Sequence, residues 1–173
     1  MGSHDVLPSP VCMEPARSGR QKQRYDDDTR LVAGCLPVMP DGRVVLIRSV
    51  KRTDWILPKG GWESDETAEE AAVREAYEEA GVRGKVTAGL GSHDILSTRG
   101  NKSRAVMFLL LVEELLDEWP EDHRKRQLVR KRFLWKRRSR IVSGRRWFPC
   151  CAPRRRQTLI QLLMTPLRVR VRG

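Results

Sequence analysis

Residues 60–82 read GGWESDETAEEAAVREAYEEAGV, a glycine-rich turn followed by a segment of helix-forming composition. Thr67 and Glu70 have the spacing of a capping box, in which each side chain accepts a hydrogen bond from the other residue's backbone N–H. Gly81 is the residue type that most often ends a helix in the left-handed conformation. The sequence therefore predicts a helix over 68–80.

The second half of this helix carries three glutamates, Glu75, Glu78 and Glu79, whose i, i+3 and i+4 spacing places them on one face. Like charges at this spacing repel, and the negative end of the helix dipole adds roughly several tenths of a kcal/mol to the cost of each. A solvated acidic surface is the ordinary interpretation of such a cluster. Glu66 and Arg74 lie nearby, however, and Mg²⁺ or Mn²⁺ would relieve the repulsion and bind phosphate oxygens. The cluster therefore indicates a metal site.

The same residues match a known motif. The fixed places of the pattern G-x5-E-x7-R-E-U-x-E-E-x-G-U are all filled, by Gly60, Glu66, Arg74-Glu75-Ala76, Glu78-Glu79, Gly81 and Val82. The segment resembles the Nudix box. The resemblance implies an α/β fold, an α/β/α sandwich around a mixed β-sheet. It also implies hydrolysis of a nucleoside diphosphate linked to another moiety, or of a related phosphoanhydride, with Mg²⁺ or Mn²⁺ as cofactor.

The resemblance assigns roles to the acidic cluster. Glu75 and Glu79 would be metal ligands together with the backbone carbonyl of Lys59. Glu78 would be either a ligand or the general base. Arg74 would orient the glutamates through salt bridges. The implied chemistry is attack of water on phosphorus, with metal ions lowering the pKa of that water.

Three further positions of the motif have supporting roles by the same resemblance. Glu66 would support the start of the helix or hold a second metal ion through water. Gly60 and Gly81 would permit tight backbone turns. The resemblance thus divides the motif into a carboxylate centre and the backbone that holds it.

The flanking segments narrow the resemblance to one group. Several segments resemble the diphosphoinositol polyphosphate phosphohydrolases, especially the fungal ones: RSGR at 17–20, Gln23, Tyr25, RLVAGC at 30–35, WILPKGGW at 55–62 and LLDEWPE at 115–121. Members of this group remove the β-phosphate from diphosphoinositol polyphosphates and also cleave diadenosine polyphosphates. The resemblance therefore implies a highly phosphorylated small-molecule substrate.

A substrate with this many phosphates requires positively charged side chains around the metal centre. The places that correspond to substrate contacts in the group hold Arg20 or Arg24, Arg30, Ser49, Lys51, Lys59, Gly60, Gly61, Lys102 and Arg124. Each charged residue taken alone is also compatible with an ordinary surface position. His93 and Asp94 are expected as a solvated pair in a loop after a strand.

Apolar runs outside the motif predict strands. Leu31–Val38 and Arg43–Arg48 flank a Pro-Asp-Gly turn and indicate a β-hairpin. Two more strands are predicted at Val86–Leu90 and Ala105–Val112, the second central and covered on both faces. No apolar run reaches the ~20 residues that a membrane helix needs.

The chain has a net charge of +12, but the charges are unevenly distributed. All 22 acidic residues precede Arg124, whereas 18 of the 34 Lys and Arg residues lie from Arg124 onward. We therefore expect a flexible N-terminal segment at 1–16, a Nudix domain at 17–126 and a basic, mostly mobile tail at 127–173. Within this tail, Leu159–Met164 is a candidate for a short helix packed on the domain. The tail departs from the diphosphoinositol group, whose members continue with an acidic amphipathic helix.

Three functions remain open from the sequence. The first is a Mg²⁺-dependent hydrolase of diphosphoinositol polyphosphates, with diadenosine polyphosphates as second substrates. The second is a nucleotide or mRNA-cap pyrophosphatase whose tail binds RNA, which needs aromatic platforms such as Trp55 or Trp62. The third is a protein that binds nucleic acid or an anionic surface nonspecifically through its tail. No partner protein is indicated.

The remaining expectations concern the cellular compartment. Cys12, Cys35, Cys150 and Cys151 have no C-x-x-C spacing and are expected to be free thiols. The N-terminus lacks the pattern of a secretory signal. A location in the cytoplasm and/or nucleus is therefore expected.

Overall fold

The computed structural model describes residues 14–50, 54–97 and 100–130. Within these ranges a seven-stranded sheet lies beside one helix. The elements in chain order are β1 Tyr25–Asp26, β2 Thr29–Val38, β3 Arg43–Arg48, β4 Lys59–Gly61, α1 Ala68–Ala80, β5 Val82–Leu96, β6 Lys102–Leu115 and β7 Lys125–Arg130. The helix in these ranges is too short and too polar to cross a membrane.

The sheet is mixed. Its main order is β5-β6-β2-β3-β7, with β1 and β4 also pairing to β2. Strands β2 and β6 run parallel from the Arg30–Ser103 pair to the Val38–Leu111 pair, whereas the other pairings are antiparallel. The predicted hairpin joins β2 to β3, with Val38 opposite Val44. This arrangement confirms the expected mixed α/β architecture, and the described residues supply one helical layer.

The helix has the predicted bounds because both of its ends are capped. Thr67 Oγ1 accepts a hydrogen bond from the Glu70 N–H at 3.2 Å, and a Glu70 carboxylate oxygen accepts one from the Thr67 N–H at 2.8 Å. At the other end Gly81 adopts φ 59°, and its N–H donates to the Tyr77 carbonyl. The left-handed conformation is the reason for glycine at this position.

Two hydrophobic clusters fill the two faces of the sheet. The first cluster lies between α1 and the sheet, where alanines of α1 let the helix approach the sheet closely. It contains Ala33, Cys35, Val45, Ile47, Ala71, Ala72, Ala76, Ala80, Val82, Leu110 and Val112. The neighbouring residues along the strands point to the opposite face. They form the second cluster, which contains Val32, Val44, Leu46, Leu57, Ala105 and Met107.

The strands after the helix are longer than the sequence predicts. The β5–β6 pairing runs from Val82 opposite Leu115 to Leu96 opposite Lys102, and register shifts along it accommodate irregular positions. Strand β6 is interior, as expected, because it lies between β5 and β2. The expectation that β6 is covered on both faces is wrong, because the side chain of Leu111 is 44% exposed.

The expected domain boundary between residues 126 and 127 falls inside a strand. Gln127–Arg130 continue β7 and pair with the first half of β3, where Arg130 lies opposite Arg43. The sheet therefore extends at least four residues beyond that boundary. The remainder of the tail, with Leu159–Met164, lies outside the described residues, as do residues 1–13. Of the cysteines, Cys35 is described, and it is free and buried.

Candidate active site

The three glutamates of α1 lie on its buried side. Glu75, Glu78 and Glu79 are 8%, 5% and 6% exposed, so a solvated acidic surface is the wrong interpretation. The carboxylate of Glu75 faces the β4 backbone so closely that a Cβ added at Gly60 would overlap it. A side chain at position 60 would therefore displace the Glu75 carboxylate from its place against β4.

Arg74 connects the acidic residues. Its Nη1 donates to Glu75 Oε1 at 2.9 Å and to Glu78 Oε2 at 3.2 Å. Its Nε and Nη2 donate to the carboxylate of Glu66 at 3.0 and 2.7 Å, and Nη2 also donates to the Gly61 carbonyl at 2.8 Å. One guanidinium thus fixes three carboxylates relative to β4, the orienting geometry that the resemblance implies.

Glu78 and Glu79 also have partners other than Arg74. The Arg17 N–H donates to Glu78 Oε1 at 3.1 Å. The Lys59 N–H donates to Glu79 Oε2 at 2.9 Å, and Arg124 Nη2 lies 2.8 Å from Glu79 Oε1. The cluster is therefore surrounded by donors from the N-terminal segment, β4 and the residue before β7.

Burial dominates the electrostatics of the cluster. It raises the pKa of Glu75 to about 8, with a contribution from the nearby Glu79 carboxylate. Burial also raises the pKa values of Glu78 and Glu79, although Arg17 and Arg74 oppose the rise at Glu78 and Arg124 opposes it at Glu79. These carboxylates resist ionisation, and additional positive charge would favour their ionised forms.

The donor set fits a hard divalent cation by its chemistry. Three buried carboxylates supply oxygen ligands of the kind that Mg²⁺ and Mn²⁺ prefer. In the described part of the chain, no three His, Cys, Asp or Glu side chains already stand in metal-binding geometry. In this arrangement Arg74, Arg124 and two backbone N–H groups contact the glutamate oxygens. Glu75 and Glu79 could hold a metal ion, and Glu78 could act either as a further ligand or as the general base.

Glu66 contacts Arg74 and the turn before α1. Burial alone would raise its pKa, but hydrogen bonds from Arg74 and from the Glu63 N–H lower it. Its carbonyl accepts a hydrogen bond from Trp62 Nε1 at 3.0 Å. These contacts favour the helix-supporting role over the second-metal role.

Arg30 is partly buried beside β4, and Arg20 is exposed on the segment before β1. Burial and the charge of Arg20 lower the pKa of Arg30, whereas Tyr25 and Glu75 oppose this. Arg30 Nη2 would lie 2.9 Å from a Cβ added at Gly61. Arg30 therefore lies next to β4. Lys59–Gly61 form this strand where the sequence predicts a glycine-rich turn.

Three other predicted substrate residues, Ser49, Lys51 and Lys102, do not lie on the segment of Arg20 and Arg30. Lys102 is exposed at the start of β6, one residue before the Ser103–Arg30 pair. Ser49 follows β3, where the Arg48–Lys125 pair places it beside Arg124. Lys51 lies outside the described residues.

Arg24 is used for structure and does not extend towards the carboxylates. Its Nε and Nη2 donate to the carbonyls of Glu63 and Ser64, each at 2.9 Å, and its guanidinium lies 4.9 Å from the centre of the Trp62 ring. Of the two alternatives at this place, Arg20 or Arg24, the geometry favours Arg20.

Sequence reasoning missed Arg17 and Gln23 as site residues. Arg17 lies in the quoted RSGR segment, and its Nη1 pairs with Glu63 at 2.8 Å. Gln23 belongs to the segment that carries the family resemblance, but its hydrogen bond with Arg30 depends on tertiary structure. The expected loop pair of His93 and Asp94 is wrong, because both lie in β5: His93 is buried and Asp94 pairs with Arg104.

Comparisons with known proteins place these observations in a family context. A NUDIX domain model matches residues 28–150 of this chain. Nudix hydrolase 18, mitochondrial, of Arabidopsis thaliana is 44% identical over 132 residues, covering 70% of this chain and 74% of that protein. Diphosphoinositol polyphosphate phosphohydrolase 3-alpha of Mus musculus is 38% identical over 105 residues, covering 58% and 63%. A solved NUDIX hydrolase from Nitrosomonas europaea has the same fold, with a TM-score of 0.56, 16% identity and coverage of 80% and 93%.

The comparisons correct one expectation from the sequence. Nudix hydrolases 16, 17 and 18 of Arabidopsis thaliana, which are 42%, 45% and 44% identical to this chain, are all named mitochondrial. The expected location in the cytoplasm and/or nucleus is therefore wrong by these relatives. Compartment is not determined by the apolar and charged patterns on which that expectation depended.

Proposed function

Because this chain belongs to the Nudix family and is a hydrolase of phosphoanhydride bonds, we propose that its substrates are diphosphoinositol polyphosphates, with diadenosine polyphosphates as further substrates. We propose Mg²⁺ or Mn²⁺ as its cofactor. The observation that carries the choice of substrate is the partly buried Arg30 guanidinium, which lies beside Gly61 of β4. Similarity to the mouse diphosphoinositol polyphosphate phosphohydrolase supports the same choice.

The positive charges of Arg20 and Arg30 together favour binding of an anionic ligand. Within the described ranges, no carboxylate forms an ion pair with Arg20 or Arg30, and Arg30 is partly buried. A partly buried charge without a close counter-ion is unfavourable, and repulsion from Arg20 adds to that cost, whereas Glu75 offsets part of it. A ligand with several phosphates would supply the missing negative charge. Guanidinium groups suit phosphate because they donate two parallel hydrogen bonds to it.

The glutamates divide the chemical work. Glu75 and Glu79 would hold the cation, and Arg74 keeps the carboxylates of Glu75 and Glu78 in a fixed relation. Glu78, with its pKa raised by burial, would accept a proton from the attacking water. When bound, Mg²⁺ would lower the pKa of water and neutralise negative charge on the phosphoryl oxygens.

The RNA-cap alternative has less support from the aromatic residues. Arg24 covers one face of the Trp62 ring, and the indole N–H donates to the Glu66 carbonyl. Arg48 lies 5.0 Å from the centre of the Trp55 ring. Both candidate platforms therefore already carry a guanidinium where a base would stack. Nonspecific binding of nucleic acid depends on the tail, which lies outside the described residues from position 131 onward.

A substrate panel tests the proposal. Diphosphoinositol pentakisphosphate, diadenosine hexaphosphate, capped RNA and 8-oxo-dGTP are each incubated with the full chain and Mg²⁺, and kcat/KM is measured. The highest value is expected for diphosphoinositol pentakisphosphate. A higher value for capped RNA or 8-oxo-dGTP would reject the proposed substrate. Omission of the metal, with chelator present, is the control for cofactor dependence.

A further inference from the structure

We propose that Gln23 is a positioning residue that fixes the orientation of Arg30 and thereby determines how tightly the enzyme holds the phosphates of its substrate. The inference rests on the proposed function, since Arg30 is taken there as a phosphate-binding residue. It extends that function to a neutral side chain from the segment before β1. The observations that support it are the anchoring of the Gln23 amide and its contact with Arg30.

The Gln23 amide is held at its nitrogen end. Nε2 donates to the carbonyls of Arg24, Leu31 and Trp62 at 2.9, 2.7 and 3.2 Å. Three acceptors around this atom determine which end of the amide is the nitrogen. The oxygen must therefore point the other way. The backbone of three separate residues thus sets the direction of one acceptor.

That acceptor takes the inner nitrogen of Arg30. The Nε of Arg30 donates to Gln23 Oε1 at 2.7 Å. In the part of the chain that the structure describes, Nη1 and Nη2 of Arg30 donate no hydrogen bond. The outer edge of the guanidinium is therefore available for two parallel hydrogen bonds to a phosphate group. Gln23 holds the cation without neutralising it, as a carboxylate would.

Gly61 completes the slot that holds Arg30. A Cβ at this position would overlap Gln23 Oε1 and would lie 2.9 Å from Arg30 Nη2. The Gly61 carbonyl also accepts a hydrogen bond from Arg74 at 2.8 Å. The same residue therefore contacts Arg30 and binds the arginine that orients Glu75 and Glu78. Gln23 thus sets the position of Arg30 relative to the carboxylate cluster.

A double-mutant cycle tests this role in the full chain. Gln23→Met keeps the length of the side chain but removes the amide, and Arg30→Ala removes the guanidinium. The readouts are binding of inositol hexakisphosphate without metal, by calorimetry, and kcat and KM on diphosphoinositol pentakisphosphate. Gln21→Met is the matched control, because Gln21 is an exposed glutamine on the same segment. The tail is present in every variant, so that differences between the variants do not arise from it.

The expected result is specific to Arg30. Gln23→Met should weaken binding about tenfold and raise KM about tenfold, while kcat stays within about twofold. In the Arg30→Ala background, Gln23→Met should change neither the affinity nor KM by more than about twofold. Equal losses in both backgrounds, or a loss in kcat alone, would overturn the proposal. The two proposals can fail separately. If the wild-type chain binds inositol hexakisphosphate and the effect of Gln23→Met on that binding depends on Arg30, but the chain cleaves no phosphoanhydride, the proposed function fails and the positioning role stands.

A second measurement does not depend on a variant folding. In the wild-type chain, the Nε–H of Arg30 should exchange slowly with solvent in a nitrogen-resolved NMR spectrum, because Gln23 Oε1 accepts it. Arg30→Lys identifies the resonance by its disappearance. Rapid exchange of this proton would contradict the proposal.

Discussion

Arg124 Nη2 lies 2.8 Å from Oε1 of Glu79, so that the residue before β7 is tied to the end of α1. Arg124 also pairs with Glu121, and both side chains of the Arg124–Glu79 pair are largely buried. A predicted substrate cation is thus the counter-ion of a predicted metal ligand. The pair joins the last strand of the described sheet to the carboxylate cluster.

Removal of this counter-ion should destabilise the metal-free protein. Arg124→Ala leaves the buried Glu79 carboxylate without its cation, a change that costs roughly 3 kcal/mol for a buried pair. The free energy of unfolding in urea with chelator is the measurement, and Arg124→Lys is the control that keeps the charge. Addition of Mg²⁺ should recover part of the loss. Equal stability of Arg124→Ala and wild type in chelator would contradict the pairing.

Glu78→Gln should lower kcat by about two or more orders of magnitude, the span of general-base catalysis. The fold should survive, because one of three crowded carboxylates is replaced by a neutral amide of the same shape. Steady-state kinetics on diphosphoinositol pentakisphosphate provides the test. Glu69→Gln on the exposed side of the same helix is the control. A fully active Glu78→Gln protein would remove Glu78 from the catalytic assignment.

Gly60→Ala should abolish most of the activity while the helix remains folded. The added Cβ would overlap the Glu75 carboxylate and force it out of position. Activity is expected to fall at least about tenfold, as a displacement on the 1 Å scale can cost more. Gly89→Ala is the matched control, since a Cβ at that glycine meets no atom within 4 Å. Similar activities for the two variants would show that the close approach is unimportant.

Replacement of Arg20 and Arg30 by alanine should raise KM for diphosphoinositol pentakisphosphate more than for a dinucleoside triphosphate, because the latter has fewer phosphates to neutralise. Steady-state kinetics on both substrates gives the ratio. Lys85→Ala serves as control, since this cation pairs with Glu113 on β5 and β6. An equal rise for both substrates would argue against a polyphosphate site.

The metal-free protein should lose stability as the pH rises from about 5 to 8. The pKa of Glu75 is raised from 4.5 to about 8 in the folded state, so between these values the folded protein retains a proton that the unfolded chain has released. The free energy of unfolding therefore falls with pH across this window and the loss is complete above it. Urea unfolding in chelator measures the slope. Glu75→Gln should flatten it, and an unchanged slope would exclude Glu75 as the source.

Local chemistry explains what the sequence predicted well. The bounds of α1 follow from Thr67, Glu70 and Gly81, whose capping contacts involve residues within one helical turn. The i, i+3 and i+4 spacing of the glutamates likewise fixes their shared face. Whether that face is buried depends on how β4 packs against it, and the spacing itself carries no information on this.

Long-range pairing explains what the sequence did not predict. Gln127–Arg130 have the composition of a basic tail, yet they complete a strand because β3 offers an unpaired edge. Gln23 and Arg17 act through contacts with residues far along the chain, such as Trp62 and Glu78. Such contacts depend on tertiary structure, and single-residue propensities do not encode them.

The capped helix also limits which changes in chain length the enzyme can tolerate. Thr67 and Gly81 fix the two ends of α1, and all three glutamates lie between them. A helix turns about 100° per residue, so one inserted or deleted residue before Glu75 would rotate the carboxylates away from β4. Substitutions on the exposed side of α1 leave this angle unchanged. The segment between the caps should therefore accept changes of residue far more readily than changes of length.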